Sequence, residues 1–288
     1  MRRRHTAKMQ EPLLPPDQAW LQEQQVHEVQ AQPGLLQRCL TYLRYWLGRI
    51  TSYILKIVRP LKKEYKVPLI QEQQVQDLRN AASERYDETV AEHRDSLKRL
   101  WEHAFPATPF PSDIKSPLWK EMGWQGEDPG TDFRGSGVLG LQNLLYMAEN
   151  HPDTFRVLLN KSNGPRADWE YPFACAGTNL TFVLAESLEL KPGNRASAPA
   201  ASQWPFSPAA KGFALLLKRM DGLAAFSEVY CAAFRLLDYL WLESKASYMD
   251  FNKVLDTVKH QVLNALAAMP SSIEQFHQFL RISSGSKW

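Results

Sequence analysis

Residues 119–137 read WKEMGWQGEDPGTDFRGSG, a combination of aromatic residues, glycines and a proline that fixes an unusual backbone path. Pro129 and Gly130 indicate a turn, and Gly135 and Gly137 permit positive φ or the close approach of another backbone. The stretch repeats neither every 3.6 nor every 2 residues, so it predicts a shaped loop that leads into a helix. Such loops often carry function, because the scaffold holds their side chains in place.

Arg134 is the residue of this loop with the most distinctive chemistry, and two interpretations of it are open. Asp128 and Asp132 are close in sequence, so Arg134 could form a structural ion pair that ties the loop down. Alternatively, the loop presents Arg134 to a phosphate group or to another protein, because a planar guanidinium binds oxyanions through two hydrogen bonds.

Residues 135–140 read GSGVLG and match the G-x-G-x-x-G pattern of dinucleotide-binding proteins. That site needs a β-strand directly before the first glycine and a βαβ unit around it. Here turn-forming residues come first and helical patterns follow, so the sequence argues against a dinucleotide site. The glycines are expected instead to let a helix pack closely against its neighbours.

The rest of the chain predicts a single all-α domain over residues 67–288. No segment shows the alternation bounded by turns that is typical of a strand. One long polar helix is expected over 71–104, and residues 191–210 are expected to form an exposed loop. A capping box at Ser247–Asp250 predicts the start of a helix that runs to residue 268. Further helices are predicted over 138–149, 152–159, 169–190, 211–220, 223–241 and a short segment after residue 271.

Residues 1–34 predict a disordered tail, and residues 35–66 predict a basic amphipathic helix. Apolar residues recur every three or four positions from Leu36 to Val58, and Pro60 ends the pattern. This helix either packs on the domain or lies on a membrane surface. In the second case anionic lipid would meet its basic side chains, which are Arg38, Arg44, Arg49, Lys56, Arg59, Lys62 and Lys63.

Charge and cysteine content restrict the class of protein further. The net charge of +3 divides unevenly, because residues 1–66 hold 12 Lys/Arg and 5 Asp/Glu whereas the remainder holds 22 and 26. A mildly acidic domain disfavours binding to nucleic acid. Three widely spaced cysteines, with no signal peptide and no metal-ligand spacing, predict a cytoplasmic protein with reduced thiols and no bound metal.

Several motifs, taken together, resemble the signature of the ELMO (engulfment and cell motility) domain. The loop follows the pattern WxxxGWQGxDPxTDFRGxG, with Trp124 at a position where many members have phenylalanine. Other motifs agree in order and spacing, so that the resemblance covers about residues 90–270; they are LW at 100–101, AFP at 104–106, LGL at 139–141, NLL at 143–145, WEYPFA at 169–174, NLT at 179–181 and ASYMDFN at 246–252.

The resemblance implies one of two functions. Proteins that consist of an ELMO domain alone act as GTPase-activating proteins for Arf-family small GTPases, and the arginine that matches Arg134 is regarded as their catalytic finger. Large engulfment adaptors instead scaffold an exchange factor and lack this arginine, so a non-catalytic interaction module in small-GTPase signalling is the alternative. The presence of Arg134 and the chain length favour the first function.

If the chain has the first of these functions, its partner would be an Arf or Arf-like GTPase in its GTP form. The chain itself could then also contact a membrane peripherally. The chain would need no cofactor, because nucleotide and Mg²⁺ belong to the GTPase. Asp132 is expected to bond to backbone amides, since a carboxylate beside the finger would offset its charge. The other loop residues are expected to shape the loop or to contact the partner; they are Trp119, Trp124, Gln125, Asp128, Thr131, Phe133, Gly135 and Gly137.

Overall fold

A computed structural model describes residues 69–160, 170–191, 204–205 and 207–284 of this chain. These residues belong to one compact unit, Lys66–Trp288. Within the described ranges every regular element is a helix, so the predicted all-α fold is confirmed for that part. The tail predicted for residues 1–34 and the basic helix predicted for residues 35–66 lie outside the described residues.

The described residues contain ten α-helices and two 3₁₀ helices. The α-helices are α1 (Leu69–Ser83), α2 (Ala91–Ala104), α3 (Leu118–Glu121), α4 (Val138–Asn150), α5 (Pro152–Leu159), α6 (Phe173–Ser187), α7 (Pro208–Leu216), α8 (Gly222–Ser244), α9 (Phe251–Ala267) and α10 (Ile273–Ser284), and the 3₁₀ helices are Pro129–Arg134 and Tyr248–Asp250.

Helices α4, α6 and α8 form the centre of the core. Helix α4 packs against α1, α2, α6 and α8, and helix α9 packs against α7, α8 and α10. A buried polar network connects the three central helices, because Ser227 Oγ donates to Asn143 Oδ1 (2.9 Å) and Asn143 Nδ2 donates to Thr181 Oγ1 (3.0 Å). These bonds satisfy polar atoms that would otherwise cost stability in an apolar interior.

A second polar cluster surrounds Glu228 on α8. Its carboxylate accepts hydrogen bonds from Tyr146 Oη (2.8 Å) and pairs with His151 Nε2 (3.0 Å). Burial raises the pKa of Glu228, but the bonds from His151 and Tyr146 outweigh this effect and hold the pKa below its usual value. Burial has the opposite effect on the nearby His277 imidazole, whose pKa it lowers, because burial disfavours the charged form of both groups.

The prediction of one helix over residues 71–104 is wrong, because α1 ends at Ser83 and α2 begins at Ala91. The break contains a local turn in which Asp87 Oδ1 accepts both the backbone N–H (2.8 Å) and the hydroxyl (2.7 Å) of Thr89. The Asp87 backbone N–H donates to His93 Nδ1 (3.1 Å). Such side-chain bonds compete with helical bonds, and the resulting linker of residues 84–90 lies beside the loop of residues 119–137.

The prediction of an exposed loop over residues 191–210 is also wrong at its C-terminal end. Trp204 is only 2% exposed, and its indole N–H donates to the carbonyl of Leu188 (2.9 Å). Helix α7 begins at Pro208, where the hydroxyl of Ser207 accepts the N–H of Ala210 (3.1 Å). The low-complexity sequence therefore ends in a buried anchor and a capped helix.

Candidate functional site

The loop of residues 119–137 folds around a row of aromatic rings. The ring of Trp101 on α2 lies 4.8 Å from that of Trp119, which lies 6.2 Å from Trp124. Trp124 lies 5.0 Å from Phe133, and Phe133 lies 5.4 Å from Tyr86 in the linker. Trp119, Trp124 and Phe133 are 0%, 4% and 1% exposed, so these three side chains hold the loop and do not face solvent.

The two loop tryptophans differ in their hydrogen bonding. The indole N–H of Trp119 donates to the carbonyl of Ile114 (2.7 Å), a residue held at φ +67°. The indole N–H of Trp124 is buried and has no acceptor among the described residues. Trp119 therefore fixes the backbone before the loop, whereas Trp124 contributes through packing.

Gly123 joins the loop to the start of α6. It has φ +92°, and a Cβ there would lie 2.4 Å from the Phe173 nitrogen. The carbonyls of Met122 and Gly123 accept the N–H groups of Ala174 (3.1 Å) and Cys175 (3.2 Å). The loop thus satisfies donors of the first turn of α6 that have no partner inside the helix.

Gly137 joins the other end of the loop to α1. It has φ +64°, and a Cβ there would lie 2.5 Å from the carbonyl oxygen of Ala82. The next residue, Val138, donates its N–H to the carbonyl of Glu84 (2.9 Å). Only glycine fits this conformation and this close approach.

The two acids of the loop bond to the loop itself. Asp128 Oδ1 caps the 3₁₀ helix by accepting the N–H of Gly130 (3.0 Å). Asp132 Oδ2 accepts the backbone N–H of Gln125 (2.9 Å), and its Oδ1 accepts the hydroxyl of Thr131 (3.2 Å). The expectation that Asp132 bonds to a backbone amide is confirmed.

Arg134 is the last residue of the 3₁₀ helix, and its side chain is exposed. Its Nε donates to the carbonyl of Thr131 (2.9 Å), and its terminal nitrogens form no hydrogen bond or ion pair with another described residue. The ion pair with Asp128 or Asp132 that was one interpretation of the sequence is not formed. The guanidinium is therefore held at one nitrogen and available at two, which suits it to bind an oxyanion on another molecule.

An open depression of about 660 Å³ is lined in part by Arg134. Its lining residues come from the linker, from the segment before α3 and from the loop, and they are Arg85, Tyr86, Asp87, Glu88, Lys115, Asp128, Gly130, Thr131 and Arg134. The apolar spacing of residues 71–104 predicted a helix through the linker, so these linker residues were not among the predicted site residues. The Asp-x-Thr pattern at 87–89, which favours a local turn, was the available signal.

Phe182 packs near Gly135, the residue that follows Arg134, and is 37% exposed. The ammonium group of Lys191 donates to the carbonyl of Gly135 and lies 5.4 Å from the centre of the Phe182 ring. Burial lowers the pKa of this Lys191 amine. An exposed aromatic ring and a hydrogen-bonded carbonyl thus lie at the residue that follows Arg134.

Two further findings concern other classes of site. In the ranges that the structure describes, no group of three or more His, Cys, Asp or Glu side chains is arranged to hold a metal ion. In the same ranges, no helix has the length and apolar character needed to cross a bilayer. The seven basic residues proposed for membrane contact, from Arg38 to Lys63, lie outside the described residues.

Comparison with known proteins agrees with the resemblance seen in the sequence. Residues 76–255 match the model of the ELMO/CED-12 family. The chain is 34% identical over 226 residues to ELMO domain-containing protein A of Dictyostelium discoideum, covering 76% of this chain and 23% of that protein. It is 32% identical over 182 residues to ELMO domain-containing protein 2 of Mus musculus, covering 61% and 54%.

ELMO domain-containing protein 1 of Bos taurus is 30% identical over 211 residues, with 67% of this chain and 59% of that protein covered. The chain thus spans between about a quarter and three fifths of the length of these curated relatives. Since the family model matches more than half of the chain, and the matched residues include the whole loop around Arg134, the chain belongs to the ELMO/CED-12 family.

Proposed function

We propose that this chain is a GTPase-activating protein for a small GTPase of the Arf or Arf-like type, to which it supplies Arg134 in trans. The observation that supports this function most is the state of Arg134. It is exposed at the end of the 3₁₀ helix Pro129–Arg134, held by one bond from Nε to the carbonyl of Thr131, and not paired with either neighbouring acid.

A free guanidinium of this kind can accelerate GTP hydrolysis. Negative charge is spread over the equatorial oxygens of the γ-phosphoryl group during transfer, and an arginine inserted by a partner can raise the rate by about 10³–10⁵-fold. A guanidinium that is already positioned loses less conformational freedom on binding and so stabilises the transition state more effectively. The buried aromatic rings and Gly137 supply that positioning.

The loop residues divide into two groups in this proposal. Trp119, Trp124, Phe133 and Gly137 are buried and shape the loop, and Asp128 and Asp132 hold its backbone. Gln125, Thr131 and Gly135 are exposed in the same loop as Arg134 and are proposed to contact the GTPase.

We also propose that residues 35–66 hold the protein peripherally at an anionic membrane surface from the cytoplasm. The support for this is the excess of Lys/Arg over Asp/Glu in residues 1–66 and the apolar stripe of the predicted helix. Membrane attachment would bring the protein to GTPases that act at membranes.

A screen of GTP-loaded Arf and Arf-like proteins tests the proposed function. Single-turnover GTP hydrolysis would be measured with and without the full chain, and the proposal predicts stimulation of at least one member. Binding to a GTP-loaded member without any stimulation would contradict the proposal and support the alternative of a non-catalytic interaction module.

A further inference from the structure

We propose that Asp132 is a positioning residue for Arg134, because its carboxylate fixes the part of the backbone whose carbonyl orients the guanidinium. This inference rests on the proposed function and deepens it. Asp132 acts on the rate of GTP hydrolysis through Arg134, and it contributes little to the affinity for the GTPase.

The direction of the Arg134 side chain depends on one backbone carbonyl. Its Nε donates to the carbonyl oxygen of Thr131 (2.9 Å), and its terminal nitrogens form no hydrogen bond with another described residue. A long arginine side chain otherwise populates many rotamers. The bond at Nε restricts this freedom and leaves both terminal nitrogens available to an oxyanion. The guanidinium therefore follows the position of the Thr131 carbonyl.

The Thr131 carbonyl is tied directly to Asp132. It belongs to the peptide unit that joins Thr131 to Asp132, so a movement of the Asp132 backbone moves it as well. The hydroxyl of Thr131 also lies 3.2 Å from Asp132 Oδ1 and 3.2 Å from the carbonyl oxygen of Asp128. The side chain of Asp132 thus holds both its own backbone and the preceding side chain.

The second carboxylate oxygen connects this peptide to the other side of the loop. Asp132 Oδ2 accepts the backbone N–H of Gln125 (2.9 Å), which closes the segment of residues 125–132. Gln125 directly follows Trp124, which is 4% exposed and whose ring lies 5.0 Å from that of Phe133. The N–H that Asp132 binds is therefore next to a side chain anchored in the core, and a bond to a charged acceptor is stronger than one between neutral groups.

These bonds favour an action of Asp132 through geometry and not through charge. Each carboxylate oxygen accepts a hydrogen bond from the loop, and Asp132 forms no ion pair with Arg134 in the part of the chain that the structure describes. A carboxylate in the same loop could still act by offsetting the charge of Arg134. The two roles predict different results when Asp132 is replaced.

Asparagine and glutamate separate geometry from charge at this position. In Asp132→Asn the charge is lost, but the amide oxygen can accept the N–H of Gln125 and the amide nitrogen can donate to the hydroxyl oxygen of Thr131. That hydroxyl can then donate to the carbonyl of Asp128. In Asp132→Glu the charge stays, but one additional methylene moves the carboxylate away from both donors.

The test uses the full chain and the GTPase that the screen identifies. Multiple-turnover GTP hydrolysis is measured with the GTP-loaded GTPase as the varied substrate. Asp132→Ala and Asp132→Glu are expected to lower kcat at least about tenfold, because a displaced catalytic group loses rate steeply. Their KM should stay within about threefold of wild type, since the lost interaction acts in the transition state. Asp132→Asn should keep both constants within about threefold of wild type.

Asp250→Ala is the matched control. Asp250 accepts the backbone N–H (2.9 Å) and the hydroxyl (2.7 Å) of Ser247, so its replacement removes the same kinds of bond outside the loop. Its kcat and KM should stay within about twofold of wild type. Denaturant midpoints compare the stability of all variants, and circular dichroism confirms that each is folded. If Asp132→Ala does not fold, the comparison of Asp132→Asn with Asp132→Glu still decides the question.

The outcomes separate this inference from the proposed function. A kcat for Asp132→Glu equal to that of Asp250→Ala would overturn the positioning role, and so would a kcat for Asp132→Asn as low as that of Asp132→Glu. If Arg134→Lys still abolished stimulation in either case, the proposed function would stand. Failure of the wild-type chain to stimulate any GTPase would overturn both.

Discussion

Replacing each loop tryptophan with phenylalanine is expected to give unequal losses of stability. Trp119→Phe and Trp124→Phe remove the same atoms from side chains that are 0% and 4% exposed. The loss of apolar contact is therefore similar at the two positions, and it largely cancels when the two variants are compared. What remains is the difference in hydrogen bonding of the indole N–H.

The size of this difference follows from the two sites. Trp119→Phe breaks the 2.7 Å bond to Ile114 and leaves a buried carbonyl without its partner, at a cost of about 1–3 kcal/mol. Trp124→Phe removes a buried donor that has no acceptor among the described residues, which offsets part of the lost packing by about 1–3 kcal/mol. Trp119→Phe should therefore be less stable than Trp124→Phe by at least about 2 kcal/mol.

Denaturant unfolding of the full chain, followed by circular dichroism, measures the free energy of unfolding of both variants. In thermal unfolding the same difference corresponds to about 4 °C or more in Tm for a domain of this size. Equal losses, within about 0.5 kcal/mol, would refute the reasoning, as would a larger loss for Trp124→Phe. Either result would mean that the indole N–H of Trp124 has an acceptor, or that Ile114 does not depend on Trp119.

Three other predictions concern the strain at Gly137, the titration of His277 and Glu228, and the role of residues 1–66. Gly137→Ala should destabilise the protein by more than about 2 kcal/mol, because its Cβ would lie 2.5 Å from a backbone carbonyl oxygen. At Gly135 the nearest atom to an added Cβ is 3.8 Å away, so Gly135→Ala should change stability by no more than about 0.5 kcal/mol. Denaturant midpoints compare the two variants, and equal losses would contradict the strain at Gly137. Because the pKa of His277 is lowered in the folded state, the unfolded state takes up a proton at a higher pH, near the ordinary value of 6.5, and the free energy of unfolding should fall as pH drops from 7 to 5. The lowered pKa of Glu228 should extend this fall below pH 4.5. His277→Gln should flatten the decline between pH 7 and 5, and an unchanged slope would contradict this assignment. Removal of residues 1–66 should leave stimulation of a soluble GTPase intact and weaken salt-sensitive binding to anionic liposomes, whereas aggregation or unchanged liposome binding would favour packing of this segment on the domain.

The sequence predicted those features of the fold that depend on local patterns. The apolar patterns of the central helices identified α4, α6 and α8, and the capping box at Ser247–Asp250 is present in the structure. The glycines and aromatic residues of the loop indicated a fixed path, and Trp119, Trp124 and Phe133 are buried within it.

Features that depend on partners distant in sequence were not predictable in the same way. The break between α1 and α2 was missed because Val90 and Leu97 continue the apolar spacing of Val75 and Leu78 across a turn that Asp87 stabilises. The burial of Trp204 depends on a bond to Leu188, sixteen residues earlier. These arrangements require tertiary contacts that override local preference.

The separation of Arg134 from its acidic neighbours was likewise left open by the sequence. It depends on the bond between Asp132 and the backbone of Gln125, seven residues earlier. Proximity along the chain favoured an ion pair, but the curvature of the loop directs the carboxylate to an amide instead. The depression beside Arg134 was missed for a related reason, since its linker wall exists only because the first helix breaks.

Single-turnover GTP hydrolysis with the Arg134→Lys variant tests the central claim most directly. Lysine keeps the positive charge but cannot donate two hydrogen bonds in the fixed geometry of a guanidinium. At saturating concentration of the folded variant, we expect loss of most of the stimulation that the wild-type chain gives to its GTPase. Stimulation close to that of wild type by a folded Arg134→Lys variant would contradict the claim that Arg134 acts on the phosphate.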